Sequence, residues 1–79
     1  MEIREVELGK IVPSKDNPRT VRDDAALQEL AASVKAQGVL EPGIARPLDG
    51  GLVELCAGAR RFRACQLAGL ATMPLIIRE

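Results

Sequence analysis

Seventy-nine residues allow one domain at most, near the lower limit for a single hydrophobic core. Apolar residues make up 47% of the chain, yet Phe62 is the only aromatic, so the core has to be built from Leu, Ile, Val and Ala. Eleven basic and eleven acidic residues cancel, which excludes a global field drawing the chain onto nucleic acid; any anion binding must be local. A core of this size supplies about 3–5 kcal/mol, so a partner, a ligand or flanking chain is expected to assist it.

The opening "MEIREVELGKIV" alternates Ile3, Val6 and Leu8 with charges, which predicts an imperfect strand at 3–8, followed by Ile11 and Val12 before a break. "PSKDNPRTVRDD" holds two prolines and no periodicity and reads as a loop. Asp23 or Asp24 can cap a helix over about 24–37, in which Leu27, Leu30, Ala31, Val34 and Ala36 follow the helical period and Gly38 is the stop. Next come a loop, a short strand at 44–47, an Asp49-Gly50-Gly51 hairpin turn and a second strand at 52–56. Gly58 closes that strand, residues 59–68 favour helix, Gly69 ends it, and "MPLIIR" suits a largely buried strand. The predicted order is β-α-β-β-α-β, an α+β fold whose helices pack on a short mixed sheet.

Cys56 and Cys65 form no C-x-x-C pair, and the chain has no histidine to complete a zinc site. They are expected to be two small buried thiols in a reducing compartment. No secretory h-region opens the chain and no apolar run approaches the ~20 residues of a membrane span, so a cytoplasmic location and no membrane partner are expected.

"CAGARRFRACQLAGL" at 56–70 sets Arg60, Arg61 and Arg63 directly behind Gly58. The first turn of a helix presents unpaired N–H groups and a partial positive charge, so cations there oppose the dipole unless an anion compensates. A glycine lets a ligand approach the backbone, and guanidinium forks suit phosphate oxygens. Strand, glycine, helix start and arginines together predict a phosphate cradle, with Arg61 better placed than Arg63. The alternative is that the arginines are solvated or pair with Glu7, Glu41 or Glu54. Phe62, Ala64, Cys65, Leu67 and Ala68 are read as core. "GVLEPGIAR" at 38–46 reads as a shaped loop or a plain helix-to-strand connection, and "NPR" supplies Arg19 from another loop.

These motifs resemble the N-terminal domain of the ParB family of chromosome and plasmid partition proteins, within the ParB/sulfiredoxin superfamily, over essentially the whole chain. "DNPR" is similar to the family's Asn-Pro…Pro-Arg loop, and "LQELAASVKAQGVLEPGIARP" to its helix and Gly-x-x-Gln-Pro-x-x-x-Arg loop. "LVELCAGARRFRACQLAGLATMPLIIR" is similar to its strand, Gly-Glu-Arg-Arg motif, helix and last strand. The resemblance implies a pocket for CTP or another nucleoside triphosphate with Mg2+. It would set phosphates against Gly58, Ala59, Arg60 and Arg61. The base and sugar would meet Gly38, Val39, Leu40, Glu41, Pro42 and Arg46, and Arg19 joins the nucleotide-binding set. It also implies a nucleoid-associated protein, with DNA contacted only through regions outside this chain and self-association or a ParA-like ATPase as partner of the full protein.

The sequence departs from the family pattern in three places. Ala59 stands where the family has a glutamate linked to hydrolysis, so at most a weak nucleoside triphosphatase is expected. Glu41 replaces the usual glutamine. The 79 residues stop short of the family's Glu-Asn-x-x-Arg segment, its helix-turn-helix and its dimerisation domain. Sulfiredoxin chemistry needs a cysteine where Ala59 stands, and Cys56 lies three residues too early. Besides nucleotide binding, two readings stay open: a ParB-like nuclease or phosphotransferase, for which Asp16, Asp49 and Glu54 are the available carboxylates, and a protein interaction module without nucleotide.

Overall fold

In the computed structural model, which describes residues 2–14, 22–39 and 41–79, five strands make one mixed sheet and two helices stack on one side of it. In chain order these are β1 (Ile3–Glu7), β2 (Ile11–Pro13), α1 (Ala25–Gln37), β3 (Gly43–Pro47), β4 (Val53–Ala57), α2 (Ala59–Ala68) and β5 (Thr72–Ile77). The strands lie in the order β1-β5-β3-β4-β2. β1 is antiparallel to β5 and β3 to β4, while β3–β5 and β2–β4 are parallel.

The two edge strands are joined by a single short 3-10 turn, Leu8–Lys10. Four flat inter-strand spacings would separate the edges by about 19 Å. The four residue steps from Glu7 to Ile11 reach at most about 14 Å. The sheet must therefore curl until its edges approach, and the Leu8 amide, donating to the Ala71 carbonyl at 3.0 Å, fixes the turn beside the start of β5.

Inside the curl lie Ile11, Ala45, Val53, Leu55, Met73 and Leu75, with Phe62 and Cys65 of α2 closing over them. The inward residues of β3, β4 and β5 alternate with outward ones, as a half-buried sheet requires. α1 begins where expected: the Asp24 carboxylate accepts the Leu27 amide at 2.8 Å. It ends at Gly38, whose amide donates to the Val34 carbonyl. Its buried stripe of Leu27, Ala31 and Val34 forms a second cluster with Ala64 of α2, flanked by Leu30, Ala68 and Leu70.

The three-layer order of sheet, α2 and α1 differs from the expectation that both helices pack on the sheet. Ala64 and Ala68, one turn apart on the outer side of α2, leave room for α1 to lie close. β2 is also additional to the expected order, an edge strand three residues long. Ala36 is exposed, and so is Leu67, which shares a helical face with Arg60 and Arg63 rather than with Phe62 and Cys65. Cys65 is buried as expected, whereas Cys56 is exposed.

Candidate functional site

β4 feeds Gly58, which takes a left-handed conformation (φ 103°, ψ 26°) and starts α2 with no side chain capping it. The first helical bond runs from the Phe62 amide to the Gly58 carbonyl at 2.9 Å, so the amides of Ala59, Arg60 and Arg61 have no intrahelical acceptor. The glycine is required twice over. Positive φ strains any other residue, and a Cβ would sit 3.1 Å from Gly43 Cα. Gly43 answers it, since a Cβ there would lie 2.9 Å from the Ala57 carbonyl oxygen and 3.0 Å from Leu75. Two glycines thus bring the start of β3 against the β4–α2 junction, backbone on backbone.

All three arginines of this helix start are held by carboxylates. Arg60 Nη2 lies 3.3 Å from Asp24 Oδ1, and Arg61 Nη2 lies 2.6 Å from Glu41 Oε2. Arg63 makes a fork on Asp23, Nε to Oδ1 at 3.0 Å and Nη2 to Oδ2 at 2.6 Å. The Arg63 hydrogen bond holds the Asp23 carboxyl below its ordinary range and raises Arg63 in turn. The Asp24 carboxyl is lowered first by the Leu27 amide and then by Arg60. The N-termini of α1 and α2 therefore meet, with acids suiting the dipole of one and neutralising the arginines that oppose the dipole of the other.

A cleft of about 360 Å³ lies on one side of this junction, bounded by Pro13, Ser14, Cys56, Gly58, Phe62 and Arg63. It opens at the carboxyl ends of the parallel strands β2 and β4, where ligands of open α/β sheets commonly sit. A second of about 220 Å³ lies on the other side, where Gly38, Val39 and Glu41 face Arg61 and the end of α1.

Gly58, Ala59, Arg60 and Arg61 are consecutive at the α2 start. Gly38, Val39, Glu41 and Pro42 form the connection from α1 to β3, and Glu41 links it to Arg61. Arg46 lies on the sheet face opposite α2, directly across from Glu54 in register and ion-paired with it. Leu40, Arg19 and Asp16 lie outside the described residues. Asp49 is in the hairpin turn, and among the described residues no group of three Cys, Asp or Glu is placed to hold a metal.

Sequence reasoning assigned Asp23 and Asp24 to capping alone and missed their pairing with arginines 40 and 36 residues away. It also missed Cys56 as a wall of the larger cleft. The signal was present, since Val53 and Leu55 point inward and period-2 alternation turns Glu54 and Cys56 outward.

The model of the ParB N-terminal domain matches residues 1–79. The chain belongs to the ParB N-terminal domain family. It is 49% identical over 77 residues to the "Probable chromosome-partitioning protein ParB" of Xylella fastidiosa strain Temecula1, covering 98% of this chain and 25% of that protein. The chain thus spans about a quarter of the length of that curated ParB relative. Among solved structures, the C-terminally truncated ParB of Caulobacter crescentus complexed with CTP-gamma-S superposes with a TM-score of 0.89 at 36% identity, over 100% of this chain and 45% of that one. Sulfiredoxin of Arabidopsis thaliana superposes with a TM-score of 0.83 at 29% identity, over 100% of this chain and 86% of that one. The curled sheet with two helices is therefore the α+β fold common to ParB and sulfiredoxin. Where that fold starts its second helix, this ParB domain has Ala59, with Cys56 three residues earlier on the preceding strand. Among its described residues no helix is long and apolar enough to cross a membrane.

Proposed function

We propose that this domain is the CTP-type nucleotide-binding module of a ParB-like partition or DNA-associated regulatory protein. The observation that carries the reading is the α2 start. Three amides without intrahelical acceptors, a left-handed glycine and two adjacent arginines stand at one point of the chain, the first turn of α2. Such a point favours a polyanion through the dipole, the amides and the guanidiniums together. Gly58, Ala59, Arg60 and Arg61 take the phosphates, and the connection from α1 to β3, reaching Arg61 through Glu41, takes part in the base and sugar side. The Caulobacter relative complexed with CTP-gamma-S supports this assignment. Mg2+ would arrive with the triphosphate. Contact with DNA, self-association and any ParA-like partner belong to parts of the protein beyond residues 1–79, on a nucleoid-associated, cytoplasmic protein. With Ala59 in place of a carboxylate, the domain alone turns over nucleotide negligibly, which a phosphate-release assay checks.

The test is a calorimetric titration of the 79-residue chain and its Arg61→Ala variant with CTP, ATP and sulfate. Charge-assisted bonds contribute about 1.5–3 kcal/mol each. The variant therefore binds triphosphate about ten- to hundredfold more weakly, at ~1.4 kcal/mol per decade. The three ion pairs favour a second reading, in which the arginines only tie α2 to the start of α1 and to the α1–β3 connection. Equal affinities in the two proteins would select it.

A further inference from the structure

The three arginine–carboxylate pairs at the α2 start are unequal. Arg63 is gripped by both oxygens of Asp23. Asp24 is anchored by the Leu27 amide whether or not Arg60 reaches it, so an anion that draws Arg60 away leaves the cap of α1 in place. Among the described residues Glu41 makes one hydrogen bond, to Arg61, and its side chain is 73% exposed. It can swing into water with no other hydrogen bond to a described residue to break, and an exposed pair of this kind is weakly held. Arg61 is therefore the guanidinium most easily handed to an incoming anion, and Glu41 is the group that competes for it.

We propose that Glu41 is a built-in counter-anion, occupying Arg61 in the empty domain and setting the affinity of the site by competing with phosphate. This rests on the reading of the α2 start as a phosphate site and adds its regulation. A carboxylate on Nη2 and a phosphate on the same guanidinium repel each other, so a ligand that engages Arg61 binds more weakly for as long as Glu41 stays. The site then favours polyanionic phosphates, whose several charges outcompete one carboxylate, over singly charged acids. The residue sits on the wall of the smaller cleft with Gly38, Val39 and Arg61, so its departure also opens that cleft towards the helix start.

The experiment titrates wild type, Glu41→Gln and Glu41→Ala with tripolyphosphate and with CTP. Far-ultraviolet circular dichroism confirms that each variant keeps its fold, as an exposed side chain should allow. Both variants are expected to bind both ligands about three- to tenfold more tightly, since an exposed pair is broken and a like charge removed. The alanine variant excludes a new hydrogen bond from glutamine as the cause. Glu29→Gln, which removes the same charge on the exposed face of α1, leaves affinity unchanged. In an Arg61→Ala background the gain disappears, because the two residues act through one contact. If wild type binds and the Glu41 variants bind equally or more weakly, the counter-anion role is overturned while the phosphate site stands. If neither wild type nor the variants bind tripolyphosphate or CTP, both fall.

Discussion

Asp24 serves two helices at once: one carboxylate oxygen, Oδ1, accepts the Leu27 amide of its own helix at 2.8 Å and meets Arg60 of α2 at 3.3 Å. Neighbouring Asp23 grips Arg63 of the same α2. The α1–α2 contact is thus sealed at one end by charge and along its length by Leu27, Ala31 and Val34 against Ala64.

Both carboxyls have folded pKa values below the ordinary 3.8, Asp23 through Arg63 and Asp24 through the Leu27 amide first. A carboxyl depressed on folding adds stability that is fully present above its unfolded value and lost as pH falls through the folded one. Thermal melts should therefore show stability dropping below about pH 4. Asp24→Asn, which keeps a capping oxygen, should flatten part of that drop. Asp24→Ala should lower the neutral-pH Tm by roughly 5 °C. Identical pH profiles for wild type and Asp24→Asn would contradict the assignment.

Gly58→Ala should cost about 1–3 kcal/mol, because its Cβ demands a forbidden φ and crowds Gly43 Cα. Urea denaturation measures it. The same substitution at Gly50, left-handed but with open space around its Cβ, pays the φ penalty without the clash and should be the milder of the two.

Leu75 is fully buried between β1 and β3, and Leu75→Ala should cost about 2–5 kcal/mol. That rivals the total expected for so small a core, so the variant should be largely unfolded at 37 °C. Leu67, 37% exposed, should tolerate alanine within about 0.5 kcal/mol. The ellipticity of the two variants at 222 nm distinguishes these outcomes.

A thiol reagent should modify one cysteine in the native chain and two in urea. Cys56 is exposed. Cys65 is fully buried, and burial, with Glu5 nearby, pushes its thiol above the ordinary value and keeps the reactive thiolate scarce. Rapid double labelling without denaturant would show that α2 does not seal the sheet.

The sequence revealed elements whose signals are local. Asp24 and Gly38 bound α1, Gly58 and Gly69 bound α2, and Asp49-Gly50-Gly51 turns β3 into β4. It concealed what depends on distant partners. β2 is three residues ending in a proline, and it is a strand only because β4, some forty residues on, lies parallel to it. The apolar stripe of α1 required a cover, but nothing in its period said that the cover was Ala64 rather than the sheet. For the site, the arginine cluster and its glycine stood out because they break the dipole rule. Their aspartate partners did not, because capping already explained them.

Ile3 faces Ile76 across β1 and β5, a pairing that spans almost the whole chain, whereas β3, β4 and α2 are assembled from neighbours. Closing so long a loop is entropically costly and is repaid only once the rest of the sheet exists to receive the strand. The topology thereby predicts an order of folding: hairpin and second helix early, first strand last. By the same logic the release of β1 should be the first local opening of the native domain, drawing Val6 away from Met73 while the helix start, with Gly58 and its arginines, stays assembled on β3 and β4.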